Sequence, residues 1–292
     1  MTAEQSTLAP ERDASLWAKT REYVHRHPTV AIGVGVLFVM VLLALLAPLL
    51  SGDPFRLTPI NRLKPPGGDF LFGTDFLGRD VYARTIHGSQ VSLIVGGAVA
   101  VISTGVGLVI GLVAGYVRWV DAIVMRIMDG LMAIPGVLLA IALISLAGAS
   151  LMNVIIAICV PEIPRVVRLV RSVVLTIREQ PYVEAAISVG SPVHKILFRH
   201  ILPNTVAPLI VQATYVCASA VVIEAILSFL GAGTPPEIPS WGNIMAEGRT
   251  YFQIAPWIIF FPGVLLAITV LAVNVLGDGL RDSLDPRIAR RM

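Results

Sequence analysis

The chain has 292 residues, 55% of them hydrophobic and only 14% charged, with a mean hydropathy of +0.80; a soluble domain carries roughly 25% charged residues. That balance argues against a soluble enzyme and for an integral membrane protein whose fold energy is settled in lipid. A pI of about 9.1 invites a nucleic-acid reading, but the basic residues segregate by membrane side, so no nucleic-acid partner is implied.

Residues 1–28 form a polar tail in which Leu16, Trp17, Thr20, Tyr23 and Val24 share one helical face. An interfacial helix and a disordered tail both fit that pattern. The run 29–50 then gives 22 residues without charge. A signal-peptide core is about 7–15 residues long, whereas a bilayer span needs roughly 20, so this is a retained first span. Residues 51–90, rich in Pro, Gly and Asp, read as an ordered outer loop with turns and room for one short helix.

Further apolar runs centre on residues 91–116, 130–148, 151–170, 206–232 and 254–277. The expected fold is therefore all-α, with six transmembrane helices. Only Gly148, Ala149 and Ser150 separate the third from the fourth, which requires a tight turn. Both are expected to extend beyond the lipid, carrying Arg126 and Asp129 in one case and Arg165, Arg168 and Arg171 in the other. With the N-terminus inside, sixteen Lys and Arg residues are cytosolic and six lie outside, as the positive-inside bias requires. Both termini are then cytosolic, the five-helix core runs over 91–281, and 282–292 is a short tail. The outer loop 233–251, with Pro235, Pro236, Pro239 and Trp241, suits a lid or a re-entrant turn.

Gly107, Gly111 and Gly115 recur every four residues on one face, the spacing that lets membrane helices approach closely. Pro135, Pro161, Pro164, Pro208 and Pro262 fall in or at the ends of spans and are candidate bends. Glu224 is the one acid well inside a span. At an insertion cost of about 2.5–3.5 kcal/mol it must face protein or water, and both a translocation-path residue and a packing carboxyl answer that need. Glu162, three residues before Arg165, reads as a local pair. Cys159 and Cys217 read as packing residues, and the five histidines are too dispersed for a metal site. No G-x-x-x-x-G-K-[ST], G-x-S-x-G or H-E-x-x-H occurs, so the phosphate cradle and the common hydrolytic sites are missing. Any energy-driven work needs another polypeptide or an ion gradient.

Residues 182–204 read YVEAAISVGSPVHKILFRHILPN. A short helix, a glycine hinge and a second basic helix ending at Leu202 and Pro203 make a knob between two spans. Glu184, Ala185 and Ala186, then Gly190, then Leu202 and Pro203 closely resemble the EAA loop of ABC-importer permeases, placed here at about 178–204. His200 stands where the wider family has Ile, and Arg199 to Asn204 is similar to the peptide/nickel branch. Three further segments agree with that branch: Phe72–Asp80 (FGTDFLGRD), Leu227–Gly231 (LSFLG) and Leu276–Arg287. The chain resembles the second, C-type permease of a dipeptide or oligopeptide importer, with a type I fold.

That resemblance implies a non-catalytic translocation subunit in the bacterial inner membrane. Its implied partners are a second homologous permease chain, two ATPase subunits, an extracytoplasmic substrate-binding protein and membrane lipid. It implies no cofactor in this chain, with ATP and Mg bound by the ATPase subunits. Glu184, Ala185, Ala186, Gly190, His200, Leu202 and Pro203 become the expected ATPase-coupling residues, and Gly73, Asp75, Gly78, Arg79 and Asp80 the expected outer-mouth motif. Nickel, glutathione and opines are alternative cargoes within the branch, and a gradient-driven carrier is the alternative outside it.

Overall fold

A computed structural model describes residues 28–284. The tail expected over 1–28 therefore lies, apart from Pro28, outside the described residues, as does 285–292. Among the described residues every regular element is helical, and the one β contact is an isolated bridge between Thr74 and Asp80.

Helix α1 spans Pro28–Leu45, and a further turn, Ala47–Leu50, follows. Pro48 has no N–H for the Ala44 carbonyl, which accepts Gln90 Nε2 instead at 2.8 Å. Helix α2 spans Val81–Tyr116 and begins ten residues before the expected position 91. Its first turns are polar, so hydropathy hides them. Asp80 caps them by accepting the Tyr82 N–H at 2.9 Å.

The expected span 130–148 is a bent pair. Helix α3, Arg118–Met132, meets α4, Gly136–Ala147, at 89°. Pro135 causes the break, because it disfavours helical backbone at the residue before it and caps the helix that follows. At the tight turn expected over 148–150, Gly148 takes φ +87. Asn153 Nδ2 donates to the carbonyls of Ala147 and Gly148, each at 2.9 Å.

Helix α5, Leu151–Arg178, runs parallel to α2. A Cβ at Gly107, Gly111 or Gly115 would stand 2.6, 2.7 or 2.7 Å from the Cβ of Val166, Val170 or Val174. The glycine stripe is thus a groove for a valine ridge, and only absent side chains allow the approach. This contact anchors a core that also takes in Val95, Val99, Ile158 and Leu227.

Helix α6 is Pro181–Ser188. A short turn, Val193–Ile196, and a π segment, Leu197–Ile201, then lead into α7, Leu202–Phe229. Here the expectation is corrected. Pro203 does not end a separate helix but sits in the first turn of α7, and helix is continuous from Val193 to Phe229. The register change makes this possible: the Leu202 N–H bonds the Leu197 carbonyl, five residues back, where proline's missing donor is absorbed.

Helix α8, Trp241–Gly248, closes one end of the bundle, and α9, Trp257–Leu284, returns antiparallel to α1. Four helices, α1, α2, α9 and the one running through α7, are long and apolar enough to cross a membrane, and the bent pair makes a fifth candidate.

Candidate functional site

The expected site residues gather at opposite ends of the bundle. Gly73, Asp75, Gly78, Arg79 and Asp80 lie where α2 begins; Glu184, Ala185, Ala186, Gly190, His200, Leu202 and Pro203 lie where α5 ends and α7 begins.

At the loop end, Asp75 to Gly78 form a tight turn closed by Gly78 N–H to Asp75 O at 3.0 Å. Gly73 and Gly78 both have φ +74, and a Cβ on Gly73 would stand 2.7 Å from the Lys64 carbonyl oxygen. Only glycine fits that crowding. Asp75 is fully buried. Its Oδ1 accepts the N–H groups of Leu77 and Arg79 at 2.8 and 2.9 Å. Its Oδ2 accepts Arg79 Nε at 2.5 Å and Arg84 Nη1 at 3.0 Å.

Both guanidinium groups also reach Glu247 on α8. Arg79 Nη2 donates to Oε2 at 2.5 Å, and Arg84 donates to Oε2 through Nη1 and to Oε1 through Nη2. Two anions and two cations thus balance in a site that is almost dry, Arg84 being 1% exposed. Asp80 stands apart as the helix cap, its carboxyl pushed above the usual range by partial burial against the opposing pull of backbone N–H groups.

Helix α8 is fastened from its other side too. Trp241, fully buried, donates from Nε1 to the Thr85 carbonyl at 3.0 Å. Trp257 Nε1 donates to Thr74 O at 3.1 Å. Within the stretch 233–251, where a lid or a re-entrant turn is expected, lies a short, largely buried helix clamped to the first loop. Arg84 and Glu247 are absent from the expected site. Arg84 falls in a stretch that reads as loop, and Glu247 lies 163 positions away. The one available signal is that the outer basic residues are nearly offset by outer acids.

At the knob end, Pro181 occupies the first turn of α6, where its missing N–H costs nothing. The helix ends in a Schellman arrangement: Gly190 N–H bonds Ile187 O at 2.9 Å, and Ser191 N–H bonds Ala186 O at 3.0 Å. Gly190 has φ +77 with open space around it. Val183, Ile196 and Ile201 are buried against the core and fix the knob to α5 and α7. Tyr182, Glu184, Ala185, Ile187, Val189, Val193 and Phe198 remain exposed, Val189 at 84%. His200 is half-buried beside Tyr182, with ring centroids 6.2 Å apart. Its carbonyl accepts Asn204 Nδ2 at 2.7 Å. Beside the knob a cavity of about 480 Å³ is lined by Arg118, Asp121, Arg178, Glu179 and Glu184.

Glu224 lies beneath α8, since Ser92, which bonds it, also accepts the Trp241 N–H at 3.4 Å. It is 0% exposed, with Ser228 Oγ donating to Oε1 at 2.8 Å and Ser92 Oγ to Oε2 at 3.4 Å. Glu162 pairs with Arg165 at 3.0 Å, as its spacing predicts.

These features define a polytopic helical membrane protein with one covered end and one bearing an exposed handle. Residues 107–290 match the binding-protein-dependent transport system inner membrane component family, and 15–66 match the N-terminal TM domain of oligopeptide transport permease C. The chain belongs to this family of multi-pass permeases. It is 58% identical over 266 residues to a probable peptide ABC transporter permease of Sinorhizobium fredii, covering 91% of each chain. It is 39% identical to a dipeptide transport system permease of Alkalihalophilus pseudofirmus, covering 99% of this chain and 96% of that one. An oligopeptide transport system permease of Bacillus subtilis is 35% identical, with 96% and 92% covered.

Proposed function

We propose that this chain is the transmembrane permease subunit of an ATP-driven importer for dipeptides or oligopeptides. The observation that carries the reading is the knob: an exposed apolar and acidic face on α6, held by buried Val183, Ile196 and Ile201 to two long helices, in a chain of this family. On this reading it is the EAA loop, and Glu184, Ala185, Ala186, Gly190, His200, Leu202 and Pro203 meet an ATPase subunit. ATP and Mg are bound by two such subunits, and this chain hydrolyses nothing. A second homologous permease completes the path, and an extracytoplasmic binding protein delivers the cargo. The knob end faces the cytosol, with both termini, and the membrane is the bacterial inner membrane.

Six spans require α5 and the bent α3–α4 pair each to count as one. The first eighteen residues of α5 include Glu162, Arg165 and Arg168, yet their charges are partnered. Arg165 pairs with Glu162, Arg168 pairs with Asp129 at 2.6 Å, and lower on the helix Arg171 pairs with Asp121. Paired charges lower the insertion cost. Gly73, Asp75, Gly78, Arg79 and Asp80 shape the outer mouth. Burial of Asp75 and Arg79 favours that role over direct contact with the binding protein. The two serine bonds to Glu224 favour the packing carboxyl over the path residue.

Substrate-stimulated ATPase and uptake in proteoliposomes test the coupling role. Glu184→Ala and Gly190→Asp are expected to uncouple hydrolysis from uptake while insertion is intact. Undiminished stimulation and uptake in both variants reject it.

A further inference from the structure

Arg165 is 46% exposed on its side chain, and its depth decides what that means. Gly279 of α9 packs on Val30, and Gly33 on Leu276, so these turns of α9 lie level with the first turns of α1. Gly277, between them, packs on Thr214 of α7. Ser219 is five residues further along α7, about 7.5 Å at 1.5 Å per residue, and its Oγ donates to Glu162 Oε1 at 3.2 Å. By the same rise Glu162 stands roughly 13 Å beyond the start of α1, close to the middle of a hydrocarbon core about 30 Å thick. Arg165, one turn lower, is inside the span rather than beyond it. At that depth a half-exposed guanidinium does not face lipid.

Glu162 adds an independent sign. It is 1% exposed, and while Oε1 accepts both Ser219 and Arg165, Oε2 has no hydrogen-bond partner among the described residues. A buried carboxylate oxygen left unpaired is costly unless something else supplies a donor. Next to Ser219 a cavity of about 220 Å³ opens between α7 and α9, with Tyr215, Ser219 and Asn274 in its lining. Tyr215 is 55% exposed.

We propose that Glu162, Arg165, Tyr215, Ser219 and Asn274 form a cargo station in the translocation path for a zwitterionic, peptide-like solute. Arg165 receives the carboxylate with N–H donors not spent on Glu162. Glu162 Oε2, closed off from solvent in this conformation, receives the ammonium or an amide N–H when the path opens beside Ser219. Tyr215 and Asn274 hydrogen-bond the peptide unit between them. The station rests on the importer reading above and deepens it.

The complete complex, with its binding protein and ATP, is reconstituted and its uptake of radiolabelled alanyl-alanine measured. Glu162→Gln and Arg165→Gln are each expected to lower uptake roughly tenfold or more, the loss of one charge-assisted contact. Co-purification of the second permease chain and of the ATPase subunits is followed in each variant, so that a loss of uptake is read on an assembled complex. The double variant Glu162→Gln with Arg165→Gln separates the roles. A pair that only neutralises itself is restored when both charges go, whereas a cargo station stays at least as impaired as either single variant. Recovery of uptake in the double variant, unchanged uptake in both singles, or loss of the co-purifying second permease chain overturns the station and leaves the importer reading standing. A wild-type complex that imports no alanyl-alanine is assayed with penta-alanine instead, and one that imports neither overturns both.

Discussion

The two ends of this molecule solve opposite problems with similar means. At the loop end, charges are buried and matched: Asp75, Arg79, Arg84 and Glu247 close on one another and clamp α8 over the start of α2. At the knob end the anchoring is apolar, through Val183, Ile196 and Ile201, and the charged and large apolar side chains of α6 point away from the bundle. Burying matched charges gives an end whose parts are hard to separate, since removal of one leaves others unpaired in a dry site. Burying only the apolar side of a short helix gives an end that holds its position while offering a free face. Rigidity is built at the first end and contact at the second.

The largest effect expected from this contrast is at Arg84. Arg84→Ala leaves Asp75 and Glu247 short of a cation and should destabilise the solubilised protein by about 3–5 kcal/mol. Thermal unfolding in detergent reads the loss, and a small change would show that the clamp is not a structural unit. The α2–α5 groove comes next. Gly111→Val inserts a branched side chain where the Val170 Cβ already lies 2.7 Å from the place a Cβ would take, and should cost about 1–3 kcal/mol.

A pair of glycine substitutions, one at each end, tests the contrast directly. Gly190→Ala meets no neighbour and bears only the cost of a left-handed backbone, about 1–2 kcal/mol. Gly73→Ala adds a collision with the Lys64 carbonyl and should cost more. Equal losses in the same unfolding assay would show that the loop end relaxes as easily as the knob. The smallest effect is at Glu184, whose side chain is exposed. Glu184→Ala should change stability by less than about 0.5 kcal/mol while altering ATPase coupling, which is the signature of a contact face.

Much of the architecture is legible without coordinates because membrane solvation acts on composition. A long uncharged run such as 29–50 has few ways to exist except as a span. Legibility fails where polar residues are satisfied by remote partners. Gln90 meets Ala44, and Arg84 meets Glu247, so the first turns of α2 resemble a loop in sequence. The bend at Pro135 is a candidate from sequence, but its 89° angle depends on what α3 and α4 each pack against. Pro203 misleads in another way. Proline normally interrupts the ladder, and the π segment before it lets the helix continue.

Composition and order of residues are enough to establish a polytopic membrane protein with a short basic segment between two long helices, since apolar runs, charge bias and local turn chemistry act over neighbouring residues. The glycine stripe is also readable, but its partner is not: the valine ridge of α5 is matched to it only by the parallel placement of two helices. Folding in three dimensions settles which remote charges meet, that α8 seals the loop end, and that Ser219 of α7 meets Glu162 of α5. Those are contacts between distant segments, and no local rule of spacing or propensity carries them.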